Sequence, residues 1–146
     1  MDIQVENRAS ELFAAEYFCA ESVLLAIAES RGIQSPFIPR MATGFCGGVA
    51  RTGGTCGAVS GAILAINLVL GRDKPTESVE VNYAAVEALL DMFNAEFGSL
   101  SCPALIGCDL GTDAGQQFYE DNDLKPQCTQ YVAEAARMAQ SILVEY

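Results

Sequence analysis

Gly44 to Gly71 reads GFCGGVARTGGTCGAVSGAILAINLVLG, and the change halfway through it decides the fold. The first part, to Gly61, holds two cysteines and seven glycines, a composition suited to a loop with unusual backbone angles. The second part is almost wholly apolar and too long for a typical strand, so the stretch predicts a helix that begins near Cys56 and ends at Gly71. Glycine suits the left-handed residue that follows a helix. The small residues Gly57, Ala58, Gly61, Ala62 and Ala65 would let a second backbone approach closely, inside a core or across a dimer.

Outward from this stretch the same period recurs. Leu12, Ala15, Cys19, Val23 and Ala26 mark one face of a long first helix, with Cys19 pointing inward. Residues 30–54 carry Pro36, Pro39 and the glycines and read as loop. After a turn at Asp73, Pro75 and Thr76, the stripe Val79, Tyr83, Val86, Leu90, Phe93 and Phe97 predicts a helix closing at Gly98. The segment SCPALIGCDLGTDAG is broken, with a short helix at most. Cys128, Val132, Ala135, Ala136 and Ala139 then define a last amphipathic helix reaching nearly to Tyr146. No convincing strand alternation occurs. The expectation is an all-α, compact bundle of about four to six helices, residues 1–146 forming one domain, with a glycine-rich loop before the second main helix.

At 146 residues and 51% apolar composition the chain can bury a real core, and disorder is not expected. A net charge of −11 repels phosphate backbones and anionic headgroups, so neither nucleic acid nor a membrane surface is an expected partner. The absence of histidine removes His-dependent triads, imidazole zinc ligands and His-ligated haem. The opening MDIQVENRAS lacks the basic and apolar regions of a leader, and residues 57–71 are too short to span a bilayer. A soluble, cytosolic protein is expected.

In reducing cytosol the six cysteines, Cys19, Cys46, Cys56, Cys102, Cys108 and Cys128, point to metal binding or redox chemistry more than to structural disulfides. Pro103 and Pro126 suit first helical turns, which puts Cys102 at a cap and Cys128 in a first turn, while Cys56 opens the apolar run. Partial positive charge at those helix starts favours thiolate, the form that binds metal and attacks disulfides. Free amides of the glycine loop could donate to cluster sulfurs. Against this stands cysteine as a small buried hydrophobe. A phosphate cradle is rejected: Gly48, Gly53 and Thr55 fit its frame, but Gly54 stands where lysine is required, which leaves Arg51 only as a contact for an anion or an acidic side chain. Glu11 with Glu16, and Asp121 with Asp123, read as solvated carboxylates. Zinc held by four thiolates is a rival, although no C-x-x-C occurs.

TCGAVSG around Cys56, with FCAESVLLA upstream and FGSLSCPALIGCDL and CTQYVAEAA downstream, resembles the C_GCAxxG_C_C family of redox-active proteins over about Phe18 to Ala136. Its signature cysteines fall on Cys19, Cys56, Cys102 and Cys128, with Gly57, Ala58 and Gly61 completing the motif; Cys46 and Cys108 carry no family signature. The resemblance implies a helical redox domain, and the related domain of split-Soret cytochromes implies an iron–sulfur cluster. Without C-x-x-C-H, the haem part of those cytochromes does not apply. The expected function is a small redox protein with a cluster, [2Fe–2S] favoured, on Cys19, Cys56, Cys102 and Cys128, exchanging electrons with an unidentified partner protein. The alternatives are thiol–disulfide chemistry with Cys102 or Cys108 attacking, and a structural zinc module.

Overall fold

A computed structural model describes residues 4–146, in which the order is α1 (Val5–Ala14), α2 (Cys19–Ser30), a 3-10 turn (Arg40–Phe45), α3 (Cys46–Val49), α4 (Gly57–Leu70), α5 (Glu80–Phe97), α6 (Cys102–Ile106), α7 (Asp113–Asp121) and α8 (Lys125–Leu143). The fold is all-α. Among the described residues eight helices stand where four to six were expected, because one expected helix is two, the broken segment holds more helix than its apolar pattern suggests, and residues 30–54, expected as loop, hold the 3-10 turn and the short α3. The reading of the amino terminus falls partly on residues 1–3, which lie outside the described residues. Among the described residues no helix is long and apolar enough to cross a membrane.

The single long first helix is corrected to α1 and α2. Glu16 adopts a left-handed backbone (φ 76°), and the chain re-enters a helix at Cys19. Glu21 reaches back so that its carboxylate accepts the Phe18 N–H at 3.0 Å, which supplies one of the partners that a helix start lacks. Cys19 is therefore the first residue of α2 rather than a mid-helix core position.

α2 and α4 form the central pair, and the small residues of α4 explain their closeness. A Cβ built on Gly61 would lie 2.5 Å from the Ala20 carbonyl oxygen and 2.8 Å from its Cα, so only glycine permits this crossing. The small-residue face is thus filled by α2 of the same chain. α8 packs on α1, α2, α4 and α5, burying Tyr131, Val132, Ala135, Ala136, Met138, Ala139 and Leu143. Burial of such side chains contributes about 1.5–3 kcal/mol for each larger one.

On α5 the buried line is Ala85, Leu89 and Phe93, while Tyr83 of the expected stripe is 63% exposed. Apolar residues occur on nearly every side of this helix, so contact with α4 and α8 selects the inward face, and period alone does not. Phe97 closes the far end, packing edge-on against Tyr131 with centroids 4.9 Å apart. Gly98 then ends the helix at φ 81°.

Candidate metal centre

The glycine loop and the segment before α6 are joined by main-chain pairing. The Cys56 N–H donates to the Leu100 carbonyl (2.7 Å) and the Cys102 N–H to that of Gly54 (3.0 Å), about an antiparallel bridge between Thr55 and Ser101. These two bonds bring the start of α4 beside the start of α6, although 45 residues separate them. Gly48 packs directly on Cys102: a Cβ there would stand 2.6 Å from the Cys102 Cβ and 3.2 Å from its Sγ. Gly57 does the same for Cys19, whose Sγ lies 2.2 Å from where a Cβ would be.

α8 is fixed to α6 by polar contacts. The Gln127 side-chain amide donates to the Leu105 carbonyl at 2.7 Å, and the Tyr131 hydroxyl donates to the same oxygen at 3.0 Å. Cys128 lies between these anchors, in the first turn of α8. α7 brings a tyrosine beside it: Tyr119 lines the same cavity and influences the Cys128 thiol. Sequence reasoning missed α7, which has few buried residues, yet the signal was present. Thr112 caps it, its Oγ1 accepting the Gly115 N–H at 2.9 Å.

The result is one cavity of about 620 Å³ in which Cys19, Cys46, Cys56, Cys102 and Cys128 all take part. Phe13, Leu105, Ile106 and Tyr131 form apolar wall, and Arg51 and Glu120 bring charge to it. The four residues Cys19, Cys56, Cys102 and Cys128 are thus brought to a common space, each from the N-terminal edge of a different helix. Cys108 does not line this cavity, while Cys46, to which no motif pointed, does. The Thr55 side of the glycine loop borders a separate shallow hollow beside Asp91, and an acidic neighbour there is unfavourable to phosphate.

The expectation that helix starts would favour thiolate is overturned. Burial, the largest influence, pushes Cys56 up to about 12, against the lowering effect of the nearby Ala58 and Val59 N–H groups. Cys102 is pushed up to about 11 by burial and then by its neighbours Cys128 and Cys108. Cys128 is raised by burial even though Tyr119 works in the opposite direction. Water loss outweighs the helix-end field at all three sites. In the metal-free protein these sulfurs are thiols at neutral pH.

Four soft donors around one space, with amide N–H groups at each helix start, suit a sulfur-ligated metal group. Among the described residues, however, no three Cys, Asp or Glu side chains are already gathered around a single point close enough for one metal ion. A tetrahedral zinc site needs four sulfurs within about 2.3 Å of one centre, so the zinc module expected as an alternative is not pre-formed here.

No curated protein and no solved structure matches the chain. A family model described as "Putative redox-active protein (C_GCAxxG_C_C)" matches residues 17–142. Where the family's name spells Gly-Cys-Ala this chain spells Cys56-Gly57-Ala58, and residue 57 is the position that packs against the Cys19 sulfur. With the match running from one residue before Phe18 to the last turns of α8, the chain belongs to the C_GCAxxG_C_C family.

Proposed function

We propose that this chain is a cytosolic electron-transfer protein whose cavity takes an iron–sulfur cluster, [2Fe–2S] favoured, on Cys19, Cys56, Cys102 and Cys128, and that it works with a separate redox partner protein. One observation carries the reading: the four cysteines of the family pattern, drawn from four helices, line a single cavity together. The cluster would supply reversible one-electron chemistry. The protein's own part is to hold four thiolates, to exclude water with Phe13, Leu105, Ile106 and Tyr131, and to offset negative charge. Arg51 brings a cation to the cavity lining, and the Ala58 and Val59 N–H groups and Tyr119 favour the thiolate forms of Cys56 and Cys128.

The experiment is iron and acid-labile sulfide analysis of protein purified without oxygen, with Cys128→Ser alongside. Equal iron and sulfide near two per chain, lost in the variant, is the expected result. A colourless, metal-free and well-folded wild type overturns it.

A second reading is thiol–disulfide exchange at Cys102 and Cys108. Cys108 is close enough to both Cys102 and Cys128 to disfavour their ionisation, and it is only partly buried. This reading expects reversible loss of titratable thiols with a defined midpoint potential. Thiols that stay inert to mild oxidant contradict it.

A further inference from the structure

Cys46 has no place in the family pattern, yet the fold gives it a specific neighbour. The 3-10 turn before it is fastened to the start of α2, since the Thr43 hydroxyl donates to the Glu21 carboxylate at 2.7 Å while that carboxylate also accepts the Phe18 N–H. This sets Cys46 against α2, where it shares the cavity with Cys19 and Cys19 is the largest influence pushing its thiol up. Gly57 provides a second fix. The point where its Cβ would stand is 2.2 Å from the Cys19 Sγ and 3.2 Å from the Cys46 Cα, so both residues sit over the same glycine. The Cys46 thiol is also directed at the Ala42 carbonyl, 3.7 Å away. Cys46 is 7% exposed, whereas Cys19 is only partly buried.

We propose that Cys19 and Cys46 are a reversible dithiol pair that closes a disulfide across Gly57 when the cavity holds no metal. The oxidant is a small disulfide such as oxidised glutathione. The Cys19 thiolate attacks it, forming a mixed disulfide and releasing one glutathione thiol; the Cys46 thiolate then attacks the Cys19 sulfur and releases the second. Two protein thiols are oxidised, one glutathione disulfide is reduced to two thiols, and the two protons pass to the departing thiolates. Exposure decides the order, with the accessible Cys19 attacking first and the buried Cys46 resolving. The pairing does not need the metal reading. Its consequence, that oxidation removes one ligand and closes the site to metal, does rest on it.

The chain's tryptic sites separate the candidates: Cys19 falls in 9–31, Cys46 in 41–51, Cys56 in 52–72, and the other three cysteines in 73–137. Metal-free protein is treated with oxidised glutathione, the remaining thiols are blocked, and the non-reduced digest is read by mass spectrometry. The expected first product joins 9–31 to 41–51, lighter by two hydrogens than the separate peptides. In Cys46→Ser, Cys19 should instead accumulate as the glutathione adduct. A wild type in which that adduct persists, or in which the first internal bond uses Cys56 or the 73–137 peptide, overturns the pairing. The wild-type digest decides this even if the variant does not fold. Oxidised protein is then offered iron and sulfide. Loss of uptake, restored by dithiothreitol, supports the consequence; undiminished uptake overturns Cys19 as a ligand while leaving the pairing standing.

Discussion

At position 57 even a methyl group would collide with the Cys19 sulfur, and at position 61 with the Ala20 main chain. The two glycines look equivalent in the sequence but differ in what they protect. Gly61→Ala meets backbone that cannot give, so a loss of about 1–3 kcal/mol is expected in chemical denaturation. Gly57→Ala meets a movable thiol: metal uptake should fall by more than half while the metal-free fold loses less stability than in Gly61→Ala. Equal loss of stability in the two variants, with normal metal uptake at 57, would contradict this division. The cysteines teach a complementary lesson. Their positions at helix starts were legible from Pro103, Pro126 and the apolar run after Cys56. Their ionisation was not, because desolvation depends on what covers Cys56 and Cys102 from other elements, and no local spacing records that.

Among elements, the turn after Cys46 is the least expected. Gly47, Gly48, Val49, Ala50 and Arg51 all have positive φ, from 53° to 71°, and the Ala50 and Arg51 N–H groups donate to the Cys46 and Gly47 carbonyls. That is one turn of left-handed helix. It is unfavourable for each non-glycine residue by about 1–2 kcal/mol. The glycine-rich composition announced unusual angles, but not that three L-residues with side chains would share them. Ala50 is exposed, so Ala50→Gly should stabilise the protein by about 0.5–1 kcal/mol, seen as a higher denaturant midpoint. A lower midpoint would show the turn to be wrongly placed. α7 and the break at Glu16 were missed for related reasons. A short, exposed helix has little apolar period to read, and a non-glycine left-handed residue gives no warning in sequence. Thr112→Ala removes the cap of α7 and should cost about 1 kcal/mol, and because Tyr119 favours the Cys128 thiolate, loosening it should lower the rate of Cys128 alkylation.

For the whole molecule, the raised thiols link stability to pH. Cys56 and Cys102 have ordinary values of 9.0 and folded values of about 12 and about 11, so the folded chain keeps protons that the unfolded chain releases. The unfolded state therefore binds fewer protons above pH 9.0, and the metal-free protein should lose stability as pH rises from there toward about 12, with its full contribution present below 9.0. A thermal midpoint that does not fall between pH 8 and pH 11 would contradict the buried thiols. The all-α class and the main helices were readable because long apolar periods dominate α4 and α8. The convergence of five sulfurs was not, since it depends on the Cys56–Leu100 and Cys102–Gly54 main-chain bonds and on the Leu105 anchors of α8. The direct test is alkylation read cysteine by cysteine, by fragmenting the peptides, in protein purified and loaded without oxygen, compared with its metal-free form. Loading should shield Cys19, Cys56, Cys102 and Cys128 together and leave Cys108 reactive; shielding of only some of the four, or of none, would contradict a shared sulfur-ligated centre.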